Sequence, residues 1–225
     1  GELREKGILG INRRNLDFMF RYNPRKLYPA VDNKLLTKEI CRKAGIPVPE
    51  TYLVIKRYGE LKCIPGTLNE LTSFVLKPVH GAGGKGVILL KKADNGVWVS
   101  PNGEPYSPDD IRYHASGILS GLYSLGGQTD KVMFETRISL HHVFSNIITG
   151  GMPDIRVILC RGEPVSSMLR LPTIHSKGKA NLHQGGVGVD INLHSGITGN
   201  AVIDSKRTSV HPDTRAPVAG INIPY

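Results

Sequence analysis

Cysteine is scarce in this chain. Its 225 residues include three, Cys41, Cys63 and Cys160, far apart and without a C-x-x-C pair. That spacing excludes a disulfide framework and a cysteine-based zinc site, and it fits a reducing compartment. No apolar run approaches the roughly 18 residues of a membrane-spanning helix. The opening GELREKGILG lacks the apolar centre of a secretory signal, so the expectation is a cytoplasmic protein with no membrane attachment. There is no internal repeat, no low-complexity tract and no Ser-His-Asp or Cys-His constellation. Acidic residues are also in deficit: 19 Asp and Glu face 29 Lys and Arg, a formal net charge of +10. An excess of that size implies an anionic partner, whether nucleotide, acidic substrate, nucleic acid or membrane surface. Hydrophobic content of 40% and charged content of 21% are ordinary for a globular chain with a real core.

What the sequence does have is glycine in one telling place. In SFVLKPVHGAGGKGVILL, residues 73–90, an apolar run meets Lys77, then Gly81, Gly83, Gly84 and Gly86, then a second apolar run. The pattern predicts a β-hairpin with a glycine-rich tip. Alternation puts Val75 and Lys77 on one strand face and Phe74 and Leu76 on the other, so Lys77 occupies an inward position that asks for an anion. Glycines let backbone N–H groups approach phosphate oxygens beside such a cation. The spacing Gly81, Gly83, Gly86 matches G-x-G-x-x-G, but a dinucleotide fingerprint needs a helix after the last glycine, and Val87 to Leu90 is β-like. A Walker loop needs Lys and Ser or Thr after that glycine, and Val87 stands there. A protein kinase would place its glycine loop before its lysine strand and carry HRD and DFG, both missing. A hairpin covering nucleotide phosphates remains, against the plain alternative of a surface hairpin with a solvated lysine.

Residues 1–31 interleave Arg4, Arg13, Arg14, Arg21 and Arg25 with Phe18, Phe20, Tyr22 and Tyr28. The pattern suits nucleic-acid binding or, preferably, an amphipathic element packing Leu16, Met19 and Phe20 on the domain. Asp32 is expected to cap a helix with Leu36, Ile40 and Ala44 on its apolar face, Gly45 at its end and Pro47 beyond. Lys34 falls in its first turn, where the macrodipole disfavours a cation and a bound anion would account for it. Residues 50–55 read as a strand and 66–72 as a short helix. Asp94-Asn95-Gly96 and Asn102-Gly103 are turns flanking Val97 to Val99. Ser107 and Pro108 start a helix carrying Ile111, Ile118, Leu119, Leu122 and Leu125, ended by Gly126-Gly127. Strands follow over 131–137, 156–160, 164–171, 187–192 and 201–203, and residues 173–188 form a loop too long to be a plain connector.

The order of these motifs resembles the ATP-grasp carboxylate-amine ligases, most closely the α-L-glutamate ligase-like proteins of the ribosomal-protein glutamate ligase type. It rests on DNKLLTKEICRKAGIPVPET, FVLKPVHGAGGKGV, VMFETRI, DIRVILCRGEPVSSMLR and NLHQGG, collinear over residues 30–190. The resemblance implies an α+β fold with two lobes and the nucleotide between two antiparallel sheets. It sets a first lobe over 32–130 and a second over 131–225, after an N-terminal basic and aromatic element over 1–31. ATP and Mg²⁺ are the implied cofactors. Lys34 and Lys77 correspond to the two phosphate-binding lysines, Gly81, Gly83, Gly84 and Gly86 to the loop closing over the triphosphate, and Glu135, Thr136 and Ile138 to the adenine-contacting hinge. Arg156 and Arg170 correspond to basic residues facing the γ-phosphate and the acyl acceptor, Asn181 and His183 to a substrate-side loop. The implied reaction joins a carboxylate, glutamate or a peptide, to an amine through an acylphosphate, and no enzyme nucleophile is needed. Preorganised cations would stabilise the charge that both steps concentrate. The family's late metal carboxylates find no match after Gly188, so the metal ligands are unassigned and further chain is expected beyond Tyr225. Asp154 and Asp190 are the nearest acids. A catalytically degenerate nucleotide-binding module and a basic nucleic-acid-binding domain are the alternatives, nucleic acid being the less favoured. Oligomeric state is unassigned.

Overall fold

The computed structural model describes residues 2–224 apart from Ala82. The chain divides into two compact units, Gly1–Ile138 and Ser139–Tyr225, each built on its own antiparallel sheet, which makes the protein α+β as the sequence implied.

The first unit holds a six-stranded sheet in the order β1-β6-β2-β3-β4-β5. Its strands are β1 (Thr51–Ile55), β2 (Ser73–Pro78), β3 (Ile88–Lys92), β4 (Trp98–Val99), β5 (Pro105–Tyr106) and β6 (Val132–Glu135). The expected hairpin is β2–β3, with Phe74 opposite Leu90 and Leu76 opposite Ile88. Period-two alternation divides the faces: Phe74, Leu76 and Pro78 are buried while Val75 and Lys77 are half-exposed. The apolar face packs with Ile55, Leu90, Trp98, Val132 and Phe134 against two helices, α2 (Ile64–Glu70) and α3 (Pro108–Leu119), preceded in the chain by α1 (Lys34–Lys43). Because β6 lies between β1 and β2, it belongs to this sheet, and the units part after Ile138 rather than at 131.

Local chemistry sets the helix ends. Asn33, not Asp32, caps α1: its Oδ1 accepts from the N–H groups of Leu35 and Leu36 at 3.1 and 3.2 Å, leaving Asp32 as the end of a preceding short turn of helix, Pro29–Asp32. The buried side of α1 is also not the expected one. Ile40 is 45% exposed and Ala44 lies in solvent, while Lys38 is buried. Ser107 and Asp110 form a reciprocal capping box at the start of α3, satisfying two otherwise orphaned donors. The helix stops at Leu119, short of Leu122, which is exposed. Gly121 explains the stop: at φ 87° its backbone passes so near Gln128 that a Cβ would lie 2.5 Å from the Gln128 carbonyl oxygen. Residues 11–22 are helical, with a π-helical turn at Asn15–Met19. Leu16, Met19 and Phe20 do not pack on the unit as expected; they are 65%, 48% and 50% exposed.

The second unit holds a five-stranded sheet, β11-β10-β9-β8-β7. Its strands are β7 (Asp154–Cys160), β8 (Glu163–Leu171), β9 (Val187–Ile191), β10 (Thr198–Ile203) and β11 (Lys206–Thr208). One face, with Leu169, Leu171, Val187, Val189 and Ala201, packs on Phe144, Ile147, Ile148, Val218 and Ile223. Residues 218–224 run along the sheet beside β10, with Val218 buried and its carbonyl accepting from Thr198 Oγ1 at 2.8 Å. The long loop is held in place: buried His211 Nε2 lies 2.9 Å from the Pro172 carbonyl, Ile174 N donates to Asp213 Oδ2 at 2.8 Å, and Thr173 Oγ1 donates to the Gly185 carbonyl at 2.8 Å.

Candidate functional site

On the sheet face turned away from the first unit's core, Glu135 ends β6. Antiparallel register sets it opposite Val75 and puts Lys77 opposite Met133, so Lys77 and Glu135 are diagonal neighbours on one face. Lys77 Nζ pairs with Glu135 Oε1. Lys38, reaching in from α1, places its Nζ 2.7 Å from Oε2. That approach is off the hydrogen-bonding direction, and Oε2, fully buried, accepts no hydrogen bond. Lys38 donates instead to the Pro49 carbonyl at 2.7 Å and to Thr51 Oγ1 at 2.8 Å. Lys34 lies one helical turn before Lys38 and shares its face. Its Nζ donates to the carbonyls of Gly81 at 2.6 Å and Val79 at 3.1 Å. Burial holds the Lys34 ammonium below its ordinary pKa, and repulsion from Lys77 adds to this, partly offset by Asp130, Asp32 and Glu135. Three lysines around one carboxylate leave a net charge of +2 on a partly open sheet face.

The glycine loop beside this cluster is fixed at its ends and open in the middle. A Cβ on Gly81 would lie 2.2 Å from Pro78 Cγ, and one on Gly86 would lie 2.6 Å from Cγ of Tyr123. His114 Nε2 contacts the Gly86 carbonyl at 2.9 Å. At the other end the His80 N–H donates to the Asp130 carboxylate at 3.0 and 3.2 Å. Gly83 and Gly84, at φ 65° and 71°, face open space, which leaves their backbone accessible to a ligand.

The structure therefore brings together Lys34, Lys77, the loop glycines Gly81, Gly83, Gly84 and Gly86, and Glu135. It corrects two premises. Lys77 is not without a partner, since Glu135 supplies the counter-charge, and Lys34 is accommodated at its helix start by loop carbonyls. The sequence reading missed Lys38; its i+4 spacing from Lys34 was the available signal. Thr136 stitches the end of β6 to the residues around β1, its N–H donating to the Glu50 carbonyl at 2.9 Å and its Oγ1 to the Tyr52 hydroxyl at 2.9 Å. Ile138 is exposed and ends the unit.

In the second unit, Arg156 and Arg170 share the sheet face opposite its core, as cross-strand register requires: Asp154 pairs with Arg170, Arg156 with Met168, and Met168 with Asp190. Arg156 is exposed. Arg170 makes a bidentate pair with Asp154, Nε to Oδ1 at 2.6 Å and an Nη to Oδ2 at 2.7 Å. Asn181 Oδ1 accepts from the His183 N–H at 3.0 Å, capping a 3₁₀ turn, and His183 is exposed. Among the described residues no group of three or more His, Cys, Asp or Glu is placed to hold a metal ion.

Residues 13–225 match a family model described as sugar-transfer associated ATP-grasp. That match agrees with the ATP-grasp resemblance at the level of the superfamily and does not extend to the glutamate ligase-like type. No curated protein matches. Among solved structures the chain is similar to the D-alanine-D-alanine ligase from Helicobacter pylori, at 14% identity and a TM-score of 0.40, covering 87% of this chain and 55% of that one. The chain thus spans little more than half the length of that structure.

Proposed function

This chain belongs to the sugar-transfer associated ATP-grasp family, and on that premise we propose that it binds ATP on the Lys77 face of its first sheet, as part of a ligase joining a carboxylate to an amine. One observation carries this reading: Lys34, Lys38 and Lys77 converge around Glu135 beside a glycine loop whose central backbone is open. The cluster has cationic charge beyond what its carboxylate offsets, and a nucleotide's phosphates are the anion of matching charge. Phosphates at this place would relieve the repulsion between Lys34 and Lys77, which now contributes to lowering the Lys34 pKa.

The residues present fit nucleotide phosphates. They do not fit a divalent cation, since the described acids are dispersed and Asp154 is engaged by Arg170. The residue roles follow from charge. Lys77 would grip a phosphate oxygen while sharing Glu135. Lys38, buried, would hold Glu135 in position. Lys34 would exchange its loop carbonyls for phosphate and so couple loop position to binding. Gly83 and Gly84 would offer backbone N–H groups. In the proposed reaction a substrate carboxylate oxygen takes the γ-phosphoryl group as ADP leaves, and amine attack on the acyl carbon then releases phosphate. Arg156, beside the Arg170–Asp154 pair, is the proposed anchor for an anionic substrate group, and Asn181 and His183, at the turn before β9, are proposed for the substrate side.

Calorimetry tests the nucleotide site. Lys77→Ala is expected to weaken ATP binding by about 1.5–3 kcal/mol, the range for hydrogen bonds to charged groups. Unchanged affinity would remove the site from this face.

A further inference from the structure

A cavity of about 340 Å³ lies in the first unit, lined by Lys56, Arg57, Tyr58, His80, Thr129 and Lys131, with buried Leu119 and Asp130. Its lining places it. Lys56, Arg57 and Tyr58 follow β1, His80 follows β2, Thr129, Asp130 and Lys131 lead into β6, and Leu119 ends α3. The cavity therefore lies at the end of the sheet where β1 and β2 stop and β6 begins, beyond the Val79 and Gly81 carbonyls that hold Lys34.

The charge of its lining is unbalanced. Lys56, Arg57 and Lys131 contribute three cations, with the Glu60 carboxylate beside them accepting from Lys56 N at 2.6 Å, and the one acid among the lining residues, Asp130, has a fully buried side chain already engaged on every side. It accepts from Lys131 N at 2.7 Å, from His80 N at 3.0 and 3.2 Å, from Ser124 Oγ at 3.2 Å, and it contacts His80 Nδ1 at 2.8 Å. That last contact fixes the imidazole: Nδ1 is turned to the carboxylate, and Nε2 has no partner among the described residues. The carboxylate takes the Nδ1–H and orients the ring, which leaves Nε2 of the neutral imidazole as an acceptor, suited to the protonated oxygen of a hydrogen phosphate. Thr129 and Tyr58 add hydroxyl groups to the wall. Arg57 could meet either a carboxylate or a phosphate in bidentate fashion, and three cations around one engaged carboxylate match the double charge of a phosphate better than the single charge of a carboxylate.

We propose that this cavity is a second anion site, taking the phosphate group of a small molecule between Lys56, Arg57 and Lys131, with His80 as its oriented inner contact. Since His80 directly precedes Gly81, an occupant here would bear on the entry to the glycine loop.

The test is a nuclear magnetic resonance titration of the chain with inorganic phosphate, with sodium chloride at matched ionic strength and with acetate as a carboxylate arm. Saturable shifts are expected at the His80 ring and at the amides of Lys56, Arg57 and Lys131. They should weaken at least tenfold in dissociation constant in Lys56→Ala/Arg57→Ala, and independently in Lys131→Ala on the other wall. Non-saturating shifts, or equal shifts with chloride, would overturn the site. Shifts centred on Lys34, Lys77 and Glu135 would assign the phosphate to the nucleotide face and also overturn it. Tighter binding of acetate than of phosphate would overturn the ligand class. None of these outcomes depends on the nucleotide reading being right.

Discussion

Glu135→Gln is the most informative single change in this protein, because it removes one charge while keeping the side chain's shape. The Glu135 side chain is 5% exposed and faces two ammonium groups, Lys38 at 8% exposure and Lys77 at 22%. Removing one partner of a buried ion pair costs about 3–5 kcal/mol, since the remaining charge stays buried without compensation. Here Lys38 keeps its hydrogen bonds to Pro49 and Thr51, which continue to solvate the ammonium, and Lys77 can turn toward water. The low end, about 3 kcal/mol, is therefore expected. For a unit of this size that corresponds to a fall of about 12 °C in Tm. Lys38→Met should cost less, about 2 kcal/mol, because Glu135 keeps Lys77, and Lys77→Met the least, about 1 kcal/mol, being the most exposed of the three. Urea unfolding of the four proteins gives the ranking. A loss below about 1 kcal/mol for Glu135→Gln, or a larger loss for Lys77→Met than for Lys38→Met, would refute the view that Glu135 anchors the cluster. Nucleotide affinity should rank differently, with Lys77→Met impaired despite its near-native stability.

Gly86→Ala should destabilise by about 2 kcal/mol or more, combining left-handed strain with a clash on Tyr123, whereas Gly83→Ala carries only the strain, about 1–2 kcal/mol; equal Tm values for the two would deny that Tyr123 fixes this end of the loop. Asp130 bears on acid stability. Burial alone would raise its pKa, but donation from Lys131 and His80 outweighs this and holds it below its ordinary 3.8. The stability it supplies is complete above 3.8 and is lost as pH falls through the lower native value, so Asp130→Asn should be less stable at pH 7 and flatter in its acid unfolding, read by circular dichroism. Lys34 works in the opposite sense. With a native pKa below 10.5, the unfolded chain binds more protons between the two values, so the burden of burying this charge is relieved as pH rises through that window. Proposed ATP binding should weaken as pH rises through that window, and less so in Lys34→Arg, which stays charged; calorimetry giving identical pH profiles for the two proteins would exclude Lys34 from phosphate contact.

Much of this protein follows from short-range pattern. The β2–β3 hairpin, the β7–β8 pair around Arg161-Gly162, and the start of α3 at Ser107 were legible because alternation, turn chemistry and capping act within a few residues. Alternation likewise put Lys77 on the strand face opposite Phe74 and Leu76. Other features depended on contacts distant in sequence. Whether Asp32 or Asn33 caps α1 turned on where Lys34 had to point, toward Val79 and Gly81. The buried side of α1 reversed expectation because a buried Glu135, a hundred residues away, draws in Lys38 and leaves Ile40 in water. The end of α3 was set by Gly121 passing against Gln128, and the final residues became an extended cover because Thr198 and the core beneath Val218 offered them partners. Local sequence determined which segments become strand, helix and turn; only the tertiary structure decided which charges are compensated, because burial and long-range pairing make a lone lysine costly and a shared carboxylate stabilising.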